Sequence, residues 1–241
     1  MSSLSGKVAV VTGGSRGIGY AIARALGREG AVVAITGTDG GRLDTAAREL
    51  TREVGGSDVI PLRADVRRHN EMEAAFSSVA SRAGGIDILI NNAGVGLVRP
   101  VADMSPDEWN RVLETNVTGV FNSIHAVLPH LRSRGGGWII SISSLSGKNP
   151  FANSAAYCAS KAAVNAFSEA FMQEVRHEGI RVAYVLPGSV DTTFGGGGRD
   201  KADWALKPED VAHAVVDLLD HPARSLPSRV EIRPTMPPRK G

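Results

Sequence analysis

The chain has 241 residues, 42% of them hydrophobic and 22% charged, with a formal net charge of +2. That is globular composition with enough chain to bury a sizeable core, and the interspersed Lys/Arg and Asp/Glu leave no footprint for nucleic acid. The one cysteine, Cys158, excludes an intrachain disulfide and a cysteine-based zinc site; the N-terminus has no apolar h-region and no apolar run reaches the length of a membrane span, so a soluble cytoplasmic protein is expected.

Residues 7–12, K-V-A-V-V-T, are a short β-branched run of the kind buried on both faces of a sheet. A glycine-rich turn follows, then a helical pattern ending near Gly30 and a second apolar run from Ala31 to Thr36. This strand–helix–strand unit makes its strands parallel. The alternation continues with helices expected over 41–53, 68–83, 105–133, 154–178 and 208–219, and strands over 57–62, 86–91, 138–143, 180–186 and 229–232. Ser105-Pro106 reads as N-cap and first helical residue. Seven strands and six helices imply an α/β fold, one doubly wound parallel sheet with helices on both faces. No linker, repeat or charge block divides residues 1–241, so one domain is expected. Gly195–Gly198 should be mobile, and 234–241, with three prolines, an irregular tail.

Thr12-Gly13-Gly14-Ser15-Arg16-Gly17-Ile18-Gly19 sits where a Rossmann domain binds a dinucleotide. Glycines let such a turn close and let backbone approach a pyrophosphate resting on a helix N-terminus. The spacing is G-x-x-x-G-x-G, and no Lys-Ser/Thr follows as a P-loop would need. A tight turn without ligand is the plainer alternative. The second strand ends in Thr36-Gly37-Thr38, with Asp39 beyond it. A carboxylate there would bond ribose hydroxyls and favour NAD(H). Gly37 and Thr38 instead leave room for a 2′-phosphate, with Arg16 or Arg42 to supply charge, which favours NADP(H) over NAD(H). Asp39 is the residue that argues the other way.

Polar or glycine-containing turns close further strands on the same edge: Asp65-Val66, Asn91-Asn92-Ala93-Gly94, Ser143-Ser144 and Pro187-Gly188-Ser189-Val190-Asp191-Thr192. Ligands of an open parallel sheet bind at that edge. Asn116, inside a long helical pattern, is a weak helix former that competes for backbone hydrogen bonds; a solvent-facing asparagine is the plainer reading. Tyr157 and Lys161, four apart on a helix, share one face. An ammonium near a phenol lowers the phenol's pKa and suits it to proton transfer; taken alone, the pair also fits a packing tyrosine beside a surface lysine.

These motifs together resemble the short-chain dehydrogenase/reductase family, in its compact single-domain branch. T-G-G-S-R-G-I-G, N-N-A-G, the helix asparagine Asn116, Ser144 thirteen residues before Tyr157, Y-C-A-S-K and P-G-S-V-D-T fall in the family's order and spacing almost end to end. The resemblance implies hydride transfer between a nicotinamide cofactor and a carbonyl/alcohol carbon. Tyr157 would be general acid, Ser144 would hold the substrate oxygen, Lys161 would lower the Tyr157 pKa and hold the nicotinamide ribose, and Asn116 would hold a water leading to solvent. It implies cofactor contacts from Gly13, Ser15, Arg16, Gly17, Ile18, Gly19, Thr38, Asp65, Val66, Asn92, Ala93, Gly94, Tyr157, Lys161, Pro187, Gly188, Val190 and Thr192. No metal is required, and the six histidines show no ligand spacing.

The expected substrate wall is Gly94–Leu97, Leu145, Ser146, Asn149, Phe151, Asn153 and a lid over 189–206 containing Phe194 and Trp204. Lys148 is a candidate for meeting an acidic substrate. The pattern is similar to that of 3-oxoacyl-carrier-protein reductases and general carbonyl reductases, and Arg132, Arg134 and Arg176 are the scattered candidates for an acidic carrier surface. Family members are usually tetramers or dimers, and helices 105–133 and 154–178 would pair with their copies across a two-fold axis. An NAD-dependent alcohol dehydrogenase on the same site, and a catalytically silent nucleotide-binding scaffold, are the alternatives.

Overall fold

A computed structural model of the chain describes residues 4–55, 58–196 and 203–237. Seven parallel strands form one sheet in the order β3-β2-β1-β4-β5-β6-β7, with β1 Val8–Thr12, β2 Val32–Gly37, β3 Ile60–Arg63, β4 Ile88–Asn91, β5 Gly137–Ile142, β6 Ile180–Pro187 and β7 Arg229–Ile232. All five residues of β1 are buried, because helices cover both faces of the central strands. On one face α1 (Gly17–Arg28), α2 (Gly40–Val54) and α7 (Pro208–Leu219) pack through Ile22, Leu26, Leu43, Leu50 and Val215. On the other, α3 (His69–Ala83), α5 (Gly119–Ser133) and α6 (Ala155–Val175) pack through Met72, Phe76, Val127, Val164 and Phe171. The expected doubly wound Rossmann sheet is therefore present. Strand order reverses beside β1, where β2 lies on one side and β4 on the other, and that reversal opens a crevice at the carboxyl edge.

One expected helix is interrupted. Residues 105–133 form α4 (Pro106–Leu113), a single π-turn over Glu114–Thr118, and then α5 without a break in direction. Ser105 does cap α4: its hydroxyl accepts from the Glu108 N–H while the Glu108 carboxylate accepts from the Ser105 N–H. Helix 154–178 ends as α6 at Val175, followed by a short 3₁₀ turn to Glu178. Of the Gly195–Gly198 run and the 234–241 tail, residues 197–198 and 238–241 lie outside the described residues, as does Ser57 at the start of the expected third strand. Among the described residues no helix is long and apolar enough to cross a membrane.

Candidate active site

The glycine loop is locked to the end of β4. Thr12 Oγ1 accepts from the Asn92 and Ala93 N–H groups at 3.0 and 3.1 Å. Asn92 Nδ2 donates back to the Thr12 and Gly13 carbonyls at 3.0 and 3.1 Å. A Cβ on Gly19 would stand 2.4 Å from both Asn92 Nδ2 and the Gly13 oxygen, and one on Gly13 2.9 Å from Ala93 Cα. These two glycines are required by close packing. Gly17 differs: it holds φ +56°, and only Thr192, at 3.5 Å, faces the place where a side chain would stand. No side chain caps α1 and no acidic residue occupies its first turn, so its positive N-terminus is left facing the crevice. An uncapped helix end, a glycine cradle and Thr192 from the β6 end opposite it fit a dinucleotide pyrophosphate.

Beyond β2, Asp39 is the N-cap of α2. Its carboxylate accepts from the Arg42 N–H at 3.1 Å and pairs with the Arg42 guanidinium at 3.1 Å. The Arg16 side chain is exposed and has no ion-pair or hydrogen-bond partner among the described residues. Thr38 lies between them in sequence, and Ser15 Oγ would stand 3.9 Å from a Cβ on Gly37. Asp65 is held bidentately by Arg67, with contacts down to 2.6 Å, and Arg67 keeps its carboxyl below the usual range. Val66 is buried against Gly119, and its carbonyl accepts from Asn122 Nδ2 at 2.9 Å. At the β6 end, the Gly188 N–H donates to Ile232 at 2.8 Å, and Val190 forms an isolated bridge with Leu206.

The π-turn exists where Asn116 needs it. Asn116 is 1% exposed; its Oδ1 accepts from the Val95 N–H at 2.8 Å, and its Nδ2 donates to the Val95 carbonyl and to Ser160 Oγ at 2.9 and 3.0 Å. A widened turn of this kind is a frequent mark of a functional position. It engages both Asn116 amide donors and its oxygen, clamping the segment after Gly94 to α6.

Ser144 leaves β5 in extended conformation, and its Oγ accepts from the Ser146 N–H at 3.1 Å. Tyr157, half-buried on the first turn of α6, has the Ser144 side chain as the neighbour that favours its ionised form. Lys161, one turn on, is 6% exposed; its Nζ donates to the Ile142 carbonyl at 2.8 Å and sits 5.8 Å from the centre of the Tyr157 ring. Ser143 Oγ donates to Asn165 Oδ1 at 2.5 Å, fastening α6 to the strand end. Sequence reasoning passed over Asn165, Ser160 and the second role of Ser143; Asn165 lies on the Tyr157–Lys161 face, four residues beyond Lys161, and that spacing was the available signal.

The expected lowering of the Tyr157 pKa by Lys161 is absent from this arrangement. Burial raises the phenol, the nearby Ser144 side chain opposes that rise, and the ammonium is directed at a carbonyl instead of the phenolic oxygen. Burial also brings Lys161 down to about 8.

Around this group Phe194 lies against the Tyr157 ring, centroids 5.8 Å apart, and over Gly96, where a Cβ would come within 2.7 Å of it. Phe151 is exposed at the rim. Asn153 holds φ +61° and accepts from the Arg99 N–H. Among the expected lid residues, 197–202 lie outside the described residues; the base of the loop is closed by Asp191–Leu206 backbone bonding and by a 2.9 Å Lys207–Asp191 ion pair. Lys148 is spoken for by Glu231 at 2.6 Å. Arg132 and Arg134 stand at the opposite, amino edge, bound to Glu178 and Asp87, and Arg176 lies there too, bound to Gln173. None of the three borders the crevice.

Comparison with known proteins agrees with this architecture. The family model described as short chain dehydrogenase matches residues 7–202. An alcohol dehydrogenase from the archaeon Thermococcus sibiricus, solved with 5-hydroxy-NADP, is similar at 33% identity and a TM-score of 0.88, covering 97% of this chain and 99% of that one. A metagenomic short-chain oxidoreductase solved with NADP is similar at 38% identity and 0.85, covering 98% and 100%. An uncharacterized oxidoreductase of Staphylococcus haemolyticus is 33% identical over 238 residues, covering 97% of this chain and all of the relative. The chain belongs to the short-chain dehydrogenase family. It is an NAD(P)-dependent oxidoreductase, working between carbonyl and alcohol on a Rossmann sheet.

Proposed function

We propose that the chain is a single catalytic domain over residues 1–241 that reduces a neutral ketone or aldehyde with NADPH, Tyr157 acting as general acid. The observation that carries this reading is the gathering of Ser144, Tyr157 and the buried Lys161 at the carboxyl edge, with Lys161 Nζ 5.8 Å from the centre of the Tyr157 ring. Bound NADPH would supply the hydride. Gly13, Ser15, Gly17, Ile18 and Gly19 would hold its pyrophosphate at the α1 N-terminus; Asp65 and Val66 would flank its adenine; Asn92, Ala93 and Gly94, with Pro187, Gly188, Val190 and Thr192, would hold its nicotinamide half.

As the carbonyl carbon is reduced, negative charge grows on its oxygen. Tyr157 Oη then gives that oxygen its proton, and Ser144 Oγ donates a hydrogen bond to it. The raised phenol keeps its proton in the resting site, ready for the reductive direction. Lys161 would hold the nicotinamide ribose and keep a positive charge beside the developing phenolate. Because the Asn116 amide is fully engaged, the widened backbone of its turn is what remains to hold a water that returns the proton.

NADP(H) is favoured over NAD(H) because Asp39 is occupied as a helix cap and Arg16 stands free for a 2′-phosphate. A neutral substrate is favoured because Lys148, Asp191 and Arg99 all have ion-pair partners, which leaves Phe151, Phe194 and Leu145 as the wall. The carrier-protein form of the 3-oxoacyl reading loses its support with Arg132, Arg134 and Arg176 on the far edge. We also place the chain in the cytoplasm, as a dimer or tetramer formed through 105–133 and 154–178. Phe121, half exposed, and the exposed Ala159, Ala162, Ala166 and Ala170 support that surface; light scattering at micromolar concentration tests it, and a monomer would reject it. For the activity, ketones, aldehydes and alcohols are screened with both cofactors by absorbance of the reduced nicotinamide. Turnover of neutral carbonyls with NADPH is expected; turnover only of charged substrates, or none, would overturn the reading.

A further inference from the structure

The histidines show no ligand spacing along the chain, yet the fold brings two of them to one carboxylate. His69 is the first residue of α3, Glu73 lies one turn on, and His125 lies in the second turn of α5. His69 Nε2 is 3.3 Å from Glu73 Oε1. The His69 and His125 rings meet edge to face with centroids 4.8 Å apart. One ligand atom from each of the three residues lies within 4.8 Å of the other two, and among the described residues no second group of three His, Cys, Asp or Glu does this.

The comparison inside the molecule is His213–Asp217, the same i,i+4 pairing on α7 at 3.5 Å. It has no third donor and its side chains are far more exposed, 80% and 63% against 40% and 54% for His69 and Glu73. It is an ordinary surface pair. His125 is what separates the first from the second. A second observation points the same way: His69 Nδ1 is buried and has no hydrogen-bond partner. Buried polar atoms are normally paired, but the imidazole of His69 is held by no hydrogen bond at Nδ1 and can turn about its side-chain torsions to present a nitrogen to a ligand.

The donors stand on a rigid frame, since Phe76 and Val79 of α3 pack in one core with Ile124 and Val127 of α5. Tetrahedral zinc with bonds of about 2.1 Å needs donors roughly 3.4 Å apart. Closing from 4.8 Å asks only for side-chain rotation by the exposed Glu73 and His125. Two imidazoles and one carboxylate suit zinc and its transition-metal neighbours over magnesium or calcium.

We propose that His69, Glu73 and His125 form a binding site for one divalent transition-metal ion, zinc by preference, which ties α3 to α5 on the face of the sheet that carries α6. The site stands apart from the reduction chemistry and does not depend on it. Binding requires deprotonated donors, so affinity should fall as the solution is acidified.

The test uses the full chain without a histidine tag, stripped by chelator and titrated with Zn²⁺ by calorimetry and with Co²⁺ by visible absorption. One equivalent per chain is expected, with a melting temperature that climbs with metal concentration. His125→Ala and Glu73→Gln should each weaken binding at least tenfold, while the metal-free variants keep the parent's melting temperature and circular dichroism. Unchanged one-equivalent binding in both variants, or no saturable binding below about 1 mM metal, would overturn the proposal.

Discussion

At the amino edge of the sheet Asp87 and the arginines of the α5 end are paired. Asp87, 5% exposed, accepts from the Val8 N–H at 3.0 Å and pairs with Lys7 and Arg134 at 3.3 and 3.2 Å, and Arg132 meets Glu178 at 2.6 Å. At the carboxyl edge the same residue types stand differently. The Arg16 side chain has no partner among the described residues, α1 has no side-chain cap, Lys161 is buried against a carbonyl, and a helix is widened at Asn116. Equal topology at both edges with unequal satisfaction of polar groups separates the end that holds the fold from the end where the proposed site lies.

That contrast can be broken by mutation. Tyr157→Phe should lower carbonyl reduction about 1,000-fold while NADPH affinity stays within about twofold; near-normal turnover would remove Tyr157 from the chemistry. Asp87→Ala should do the reverse. It leaves the Val8 N–H unpaired and costs about 2–3 kcal/mol in denaturant unfolding, with kcat retained in the folded fraction. A large fall in kcat without loss of stability would erase the distinction between the edges. Arg16→Ala should weaken NADPH about 10- to 100-fold, on the order of 1.4–2.7 kcal/mol, and NADH little; equal losses would reject the 2′-phosphate role.

The pH dependence sharpens the comparison. The folded pKa of Lys161, about 8, lies below its ordinary value of 10.5. Between those values the unfolded chain holds more protons, so this group makes stability rise with pH across that window. The native site meanwhile loses its positive charge, so kcat/KM for reduction should fall above about pH 8 while stability does not; a profile flat to pH 10 would contradict this. The smallest effect is expected at Ser105→Ala, which removes the α4 cap at about 1 kcal/mol and should leave KM unchanged.

Much of this was legible in the sequence because the relevant signals are local. Buried parallel strands read as apolar runs, and the glycine loop, N-N-A-G and Y-C-A-S-K are contiguous, so the sheet and the residues of the crevice could be placed in order. What escaped depends on direction or distance. The π-turn is invisible because Val112, Val120, Ile124 and Val127 still read as one apolar helix. The Tyr157 pKa turns on which oxygen Lys161 faces. Lys148, Arg132 and Arg134 owe their partners to residues dozens of positions away, as His69 owes its nearness to His125.

The widened turn has a consequence for helical phase. Val112 and Val120 are both buried, yet eight residues at 100° each would set them about 80° apart. With one residue absorbed by the π-turn they count as seven apart and return to within about 20° of the same line. The helix thus carries one residue more than its apolar stripe requires. Deleting a single position within 114–118 should leave both halves seated on the sheet as a regular helix while removing the clamp on Val95 and Ser160. The surplus residue is what lets Asn116 reach both Val95 and Ser160.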